Sequence, residues 1–292
     1  MDEAIIFKGI TKRYGKTNAL ADFSLTIPQK SIFFIIGLNG AGKTTLLKSL
    51  VGHISIDEGE IGIYKKDVRM AAMIEMATFN ESLSGYQNMM HTCILRNGDK
   101  NRINNLLHYV GLNPQDKKAV KKYSLGMRQR LRIAMSLLIS PEILILDEPF
   151  NGLDPEGINQ IKSMIIELNN QYGVTVLLSS HLIRETEGIA THYAIIDSGK
   201  LIKSFDTASL QNELQCYEVR GENLAQLNTY LKDKTNVYWD HLNKRLLCFE
   251  KEGNSFAFET LKQQFECELN KTEAPLDAYF LAIVGGEKHD LA

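Results

Sequence analysis

An α/β fold built around a parallel sheet is what this chain predicts, and two observations carry the expectation. Several short runs are apolar almost throughout rather than alternating: SIFFIIG (31–37), PEILILDEP (141–149), VTVLLSS (174–180) and HYAIID (192–197). Strands covered by helices on both faces read this way, whereas a half-solvated strand alternates. Helical segments fall between several of these runs, as the crossovers of a parallel sheet require.

Taken in order, the first buried strand (31–37) leads into KTTLLKSLVG (43–52) as a helix. From about Gly85 to Ser140 the pattern is helical only. Ile103, Leu106, Leu107 and Val110 share one face of RINNLLHYV, and Met127, Leu131, Ala134 and Leu138 share one face of 127–138. A helical subdomain, about 77–140, therefore interrupts the sheet, which resumes at 141–149. After Glu213 come CYEVRG and KRLLCFE as strands and LAQLNTYL, FETLKQQFECEL and LDAYFLAIV as helices. This predicts a main domain over 1–212 and a small α/β accessory domain over 213–292.

With 292 residues, 44% of them hydrophobic, the chain has room for one large and one small core. A formal net charge of -2 supplies no overall field for nucleic acid or an anionic membrane surface. Lys117, Lys118, Lys121 and Lys122 read as a solvated face, and Met70, Met73, Met76, Met89 and Met90 as core packing, with a soft docking groove for a membrane-protein helix as the alternative. Cys93, Cys216, Cys248 and Cys267 lie far apart, with no CxxC pair, and read as free thiols of a cytosolic protein. The start MDEAIIFKGI lacks the layout of an export signal, and no apolar run approaches the ~18 to 20 residues that cross a bilayer. Work at a membrane would need another chain to do the spanning.

The strongest chemical signal is GLNGAGKTT, Gly37 to Thr45, which satisfies G-x-x-x-x-G-K-[ST] between a buried strand and a helix. Glycines let successive N–H groups turn inward, and the helix start adds partial positive charge, so the loop suits a polyphosphate. Lys43 can reach the β- and γ-phosphates, and the Thr44 hydroxyl is placed to ligate Mg²⁺. ILILDEP then delivers two carboxylates at a buried strand end, expensive unless a cation or proton transfer compensates. Asp147 is the natural Mg²⁺ partner and Glu148 the candidate to polarise an attacking water. A second anion-friendly helix start lies at YSLGMRQRLRIAM (123–135), where Ser124 and Gly126 precede Arg128, Arg130 and Arg132.

These features in this order resemble the ATP-binding-cassette ATPases, the motor subunits of membrane transporters, over roughly residues 3–210. YSLGM stands for the family's signature (Ser124, Leu125, Gly126, Met127), Asp147 and Glu148 end its acidic strand, NGLD supplies the loop aspartate Asp154, and SSH supplies His181. The resemblance implies a phosphate-loop core with an N-terminal antiparallel β part. It implies ATP held by Tyr14 against the adenine and by Asn39, Gly40, Ala41, Gly42, Lys43, Thr44 and Thr45. Catalysis would fall to Glu148, His181 and Lys43, with Mg²⁺ at Thr44 and Asp147. Two copies would pack head to tail, each ATP lying between one chain's Lys43 loop and its partner's Ser124 and Gly126.

Leu125 and Met127 depart from the family's usual glycines, and the best match to its usual glutamine is Glu75, a further candidate for Mg²⁺ or for a proton. Together with YSLGM this resembles the subgroup of bacitracin and lantibiotic exporters. The implied protein works on the cytoplasmic face of a bacterial membrane with a separate transmembrane permease, exporting a peptide or lipid-like substrate, with no nucleic acid expected. A soluble cassette of translation or DNA repair is the alternative, and a small-molecule kinase a third; neither of the two-cassette or coiled-coil layouts of the soluble relatives is present.

Overall fold

The structure, a computed structural model, describes residues 2–74, 79–209, 214–232, 234–249, 261, 265 and 267–284. The chain divides into two compact units, 1–204 and 205–292.

In the first unit, β1 (Glu3–Tyr14), β2 (Thr17–Pro28) and β4 (Glu58–Ile63) form an antiparallel sheet in the order β2-β1-β4. In β2, Phe23, Leu25 and Ile27 are buried while Asp22, Ser24 and Thr26 are exposed, the alternation of a sheet with one wet face. That apolar face meets helix α1 (Lys43–Leu50), whose Leu46, Leu47 and Leu50 share a core with Phe7, Phe23, Phe33 and Ile35.

The second sheet runs β5-β6-β7-β3-β8-β9, from β5 (Met70–Met73), β6 (Ile143–Leu146), β7 (Thr175–Ser180), β3 (Ile32–Ile36) and β8 (His192–Asp197) to β9 (Lys200–Asp206). Strands β5, β6, β7, β3 and β8 pair in parallel. Every residue of β3, β6 and β7 is buried, as their near-continuous apolar runs lead one to expect. The C-terminal ends of β3, β6 and β7 consequently converge, and the chemistry-bearing residues leave the sheet there.

Between β5 and β6 stand α2 (Gly85–Leu95), α3 (Arg102–Tyr109) and α4 (Leu125–Ser136). The Ser84 hydroxyl accepts from the Gln87 N–H while the Gln87 side chain accepts from the Ser84 N–H, a capping box that starts α2. Helix α4 departs from its expected span of 127–138: it starts at Leu125 and gives way to a 3₁₀ turn at Leu137–Ile139. Leu131, Ala134 and Leu138 are buried as expected, but Met127, in the first turn of the helix, is only half-buried. Helix α5 (Pro155–Tyr172) connects β6 to β7, with Pro155 as its first residue and Gly173 as a left-handed cap.

The second unit holds β10 (Cys216–Arg220), α6 (Leu224–Leu231), β11 (Asn236–Asp240), β12 (Arg245–Phe249), β13 (Glu268–Thr272) and α7 (Leu276–Val284). Its sheet runs β11-β12-β10-β13 with every neighbouring pair antiparallel. Strands β10 and β11 therefore point the same way with β12 between them, the split βαβ of a ferredoxin-like sheet. One face carries Val219, Leu246 and Cys248 against Leu227 and Leu231 of α6 together with Leu261; the other carries Cys216, Leu247 and Phe249 against Ala278 and Tyr279 of α7. Glu268 and Leu269, expected to end a helix, are instead in β13, where pairing with Arg220 and Val219 overrides the local helical pattern. All four cysteines are free and buried.

Candidate functional site

The phosphate loop leaves β3 and enters α1 through Gly42, at φ 105°. A Cβ there would lie 2.5 Å from the Ala19 carbonyl oxygen of β2, so both the backbone angle and the close approach require glycine. Asn39 and Gly40 form the exposed tip, Ala41 and Lys43 are buried, and Thr44 and Thr45 are half-buried in the first turn of α1. Lys43, 6% exposed, donates from Nζ to the carbonyl oxygens of Gly37 (2.8 Å) and Leu38 (3.3 Å).

Strand β6 delivers Asp147 and Glu148 to the same place. The Thr44 hydroxyl donates to Asp147 Oδ2 at 2.9 Å, and the Ser179 hydroxyl, from the end of β7, donates to Asp147 Oδ1 at 2.5 Å. Ser179 Oγ also accepts the Glu148 N–H at 2.9 Å. Glu148 has φ 48°, a left-handed backbone that costs a non-glycine residue about 1 to 3 kcal/mol and is held by that bond and by the Asn151 N–H donating to its carbonyl. The Glu148 carboxylate is bracketed: Oε1 lies 3.2 Å from Lys43 Nζ, and Oε2 lies 2.8 Å from His181 Nδ1. An ionised carboxylate only accepts, so His181 carries its proton on Nδ1 in this contact.

Thus Lys43, Thr44, Asp147, Glu148 and His181 form one connected cluster. Ser179 belongs to it as well and escaped the sequence reading; the signal was a pair of hydroxyls, Ser179 and Ser180, directly after the apolar Val176, Leu177 and Leu178. Gln129 was also missed. It is buried within α4, and its Nε2 donates to the Pro149 carbonyl oxygen at 2.9 Å, tying the helical subdomain to the turn beyond Glu148. Phe150 anchors that turn from the other side by stacking on Phe34 of β3, ring centroids 6.4 Å apart.

The signature turn stands apart, on the helical subdomain. Ser124 caps α4, its Oγ accepting the Met127 N–H at 3.2 Å, and Asp154 caps α5, its Oδ1 accepting the Gly157 N–H at 2.9 Å. Both caps are exposed, and Leu125 and Gly126 connect them: Leu125 Cδ2 lies over Gly152, and Gly126 faces Leu153. Tyr14 ends β1, 52% exposed, with Lys12 Nζ 5.6 Å from its ring centroid. Glu75 and Met76 lie outside the described residues.

The donor set at Thr44 and Asp147, a hydroxyl and a carboxylate oxygen 2.9 Å apart, is hard oxygen of the kind Mg²⁺ takes when phosphates and waters complete its shell. Among the described residues no group of three His, Cys, Asp or Glu side chains stands ready to enclose a metal by itself.

A phosphate-binding loop at the C-terminal end of a parallel sheet, with two acids from the neighbouring strand, defines a phosphate-loop nucleotide-binding protein. Residues 20–151 match the ABC transporter family model. The chain is 35% identical to the bacitracin transport ATP-binding protein BcrA of Enterococcus faecalis, over 98% of this chain and 98% of that protein. It is 40% identical to the lantibiotic transport ATP-binding protein SrtF of Streptococcus pyogenes, over 71% of this chain and 93% of that one. The fold matches a solved ATP-binding cassette in its ADP conformation (TM-score 0.65, 19% identity, 72% of this chain and 93% of that chain). It also matches a cassette solved as a dimer with ADP and Pi (TM-score 0.62, 21% identity, 69% and 98%). The chain belongs to the ABC transporter family, as an ATP-binding subunit, and its activity is that of an ATPase.

Proposed function

We propose that the chain hydrolyses ATP held between its own phosphate loop and the signature turn of a second copy, and thereby drives a separate transmembrane permease. The relatives named for bacitracin and lantibiotic transport support export of an antimicrobial peptide or lipid-like substrate as the work done. Such a subunit sits on the cytoplasmic face of a bacterial membrane, with the ATPase domain at 1–212 and an accessory domain at 213–292. Among the described residues no helix is long and apolar enough to cross a membrane.

The observation that carries this reading is the bracketing of Glu148 between Lys43 and His181. In the proposed reaction Glu148 orients water for in-line attack on the γ-phosphorus, and His181 fixes the carboxylate and meets the γ-phosphate. Lys43 and the backbone N–H groups of Asn39 to Thr45 offset the phosphate charge. Thr44 and Asp147 would hold Mg²⁺, with Glu75 as a further candidate, and the ion when bound neutralises charge on the β- and γ-oxygens. Tyr14 stacks on the adenine.

In the second copy, Ser124 uses a lone pair to cap α4, which leaves its O–H proton to donate to phosphate. The N-terminus of α4 and Gly126 complete that surface, with Asp154 alongside, and the contact is isologous, closed by a two-fold axis.

The test is Glu148→Gln. ATP affinity should stay within about threefold while phosphate release falls by at least ~100-fold. A variant that releases phosphate at the wild-type rate would overturn the assignment.

A further inference from the structure

Among the described residues, the buried side-chain nitrogen left without a hydrogen-bond partner is Arg132 Nε, on α4. The guanidinium lies 5.1 Å from the Phe79 ring centroid, and its Nη1 donates to Gln129 Oε1 at 3.1 Å. Burial, with the charge of Arg128 acting in the same direction, holds its pKa below the ordinary arginine value. Among the described residues, an aromatic ring and an amide are thus what faces this half-buried cation, and a buried Nε without a partner costs stability. Arg132 is half-buried between the fully buried Leu131 and Ile133. What the guanidinium alone adds is a set of N–H donors in a fixed plane.

Those donors decide which way the Gln129 amide faces. An amide presents an oxygen on one side and an NH₂ on the other, and the two orientations have nearly the same shape. With Arg132 donating to Oε1, the NH₂ is turned toward the Pro149 carbonyl oxygen, to which it donates at 2.9 Å. Were the amide reversed, two acceptors would face each other at Pro149 and two donors at Arg132. Pro149 directly follows Glu148, whose backbone is held at φ 48°. We propose that Arg132 is a positioning residue for hydrolysis: it sets the Gln129 amide, which holds the Pro149 carbonyl and with it the turn that presents Glu148. The proposal rests on the reading of Glu148 given above.

The experiment uses the full chain with Arg132→Met, Arg132→Lys, Gln129→Ala, the double variant Gln129→Ala with Arg132→Met, and Glu148→Gln as reference. Melting temperature and ATP affinity are measured beside steady-state phosphate release. Arg132→Met keeps volume but removes the donors, and should lower kcat about fivefold at unchanged KM for ATP, the scale of one lost hydrogen bond. Arg132→Lys restores a donor and should recover part of the rate. Gln129→Ala should lower kcat at least as much, with no further loss when Arg132→Met is added, because both act on one bond. If Met serves as well as Arg, if Lys gives no rescue, or if the two losses multiply, the relay is wrong. Should Arg132→Met fail to fold, Arg132→Leu, which likewise carries no donor, takes its place under the same criteria. Full turnover by Glu148→Gln would refute the site reading and the relay together; loss of turnover there beside an unaffected Arg132→Met refutes the relay alone.

Discussion

Ser179 donates to Asp147 Oδ1 at 2.5 Å while its own oxygen accepts the Glu148 N–H at 2.9 Å. One hydroxyl therefore fixes two consecutive acids in different ways, one by its side chain and one by its backbone. Ser179 is fully buried, so Ser179→Ala leaves the Glu148 N–H without its partner, a loss of about 1 to 3 kcal/mol of stability. Phosphate release should fall roughly tenfold if the Glu148 turn relaxes. Urea denaturation and a phosphate-release assay on the same variant check both halves.

The contact between Leu125 and Gly152 separates two effects that are easily confused. A Cβ at Gly152 would come 2.8 Å from Leu125 Cδ2, but that atom is the tip of a side chain 46% exposed and can swing aside. The backbone at φ 73° cannot. Gly152→Ala should accordingly destabilise by about 1 kcal/mol, almost all of it from the left-handed backbone. Adding Leu125→Ala to that variant should restore little; full recovery in urea melts would show that the clash dominates.

Glu142, ahead of β6, accepts hydrogen bonds from Lys65 and from Tyr64 Oη (2.7 Å) and pairs with Arg69 at 3.3 Å. The Lys65 hydrogen bond, then that of Tyr64, lowers its pKa to about 2, from an ordinary value of 4.5. Its contribution to stability is present above pH 4.5 and is lost as the pH falls toward 2. Wild type should therefore exceed Glu142→Gln in denaturation midpoint at neutral pH, with the gap closing below pH 4.5. A gap that widens on acidification would contradict the sign.

Burial pushes the Cys216 thiol up to about 12 and moves Cys248 in the same direction. With all four cysteines free and buried, a thiol reagent at pH 8 should label none of them until the chain is unfolded. Stoichiometric labelling of the native protein would place at least one thiol in a different setting.

Much of this arrangement was legible because it rests on local patterns. The near-continuous apolar runs of β3, β6 and β7 name buried strands, and GLNGAGKTT constrains its own backbone through Gly42. Ser179 and Gln129 were not legible, since their importance comes from what folding brings to them: Asp147 across 32 residues of chain, and the Pro149 carbonyl. Strands β11 and β13 were hidden for a related reason. Glu268 and Leu269 continue a helical pattern until pairing with β10 is considered, and Asn236–Asp240 is a short edge strand whose register comes from β12. Residues 200–206 alternate between exposed and half-buried, so this edge strand carries no unbroken apolar run to mark it.

The central claim is that neither copy of the chain owns a whole active centre. Size-exclusion chromatography with light scattering on Glu148→Gln, with and without Mg²⁺ and ATP, tests it most directly. A dimer should form only when nucleotide is present, and Ser124→Arg in the same chain should abolish it while leaving ATP bound to the monomer. Persistence of a monomer with saturating ATP, or an ATP-dependent dimer indifferent to Ser124→Arg, would contradict the shared site.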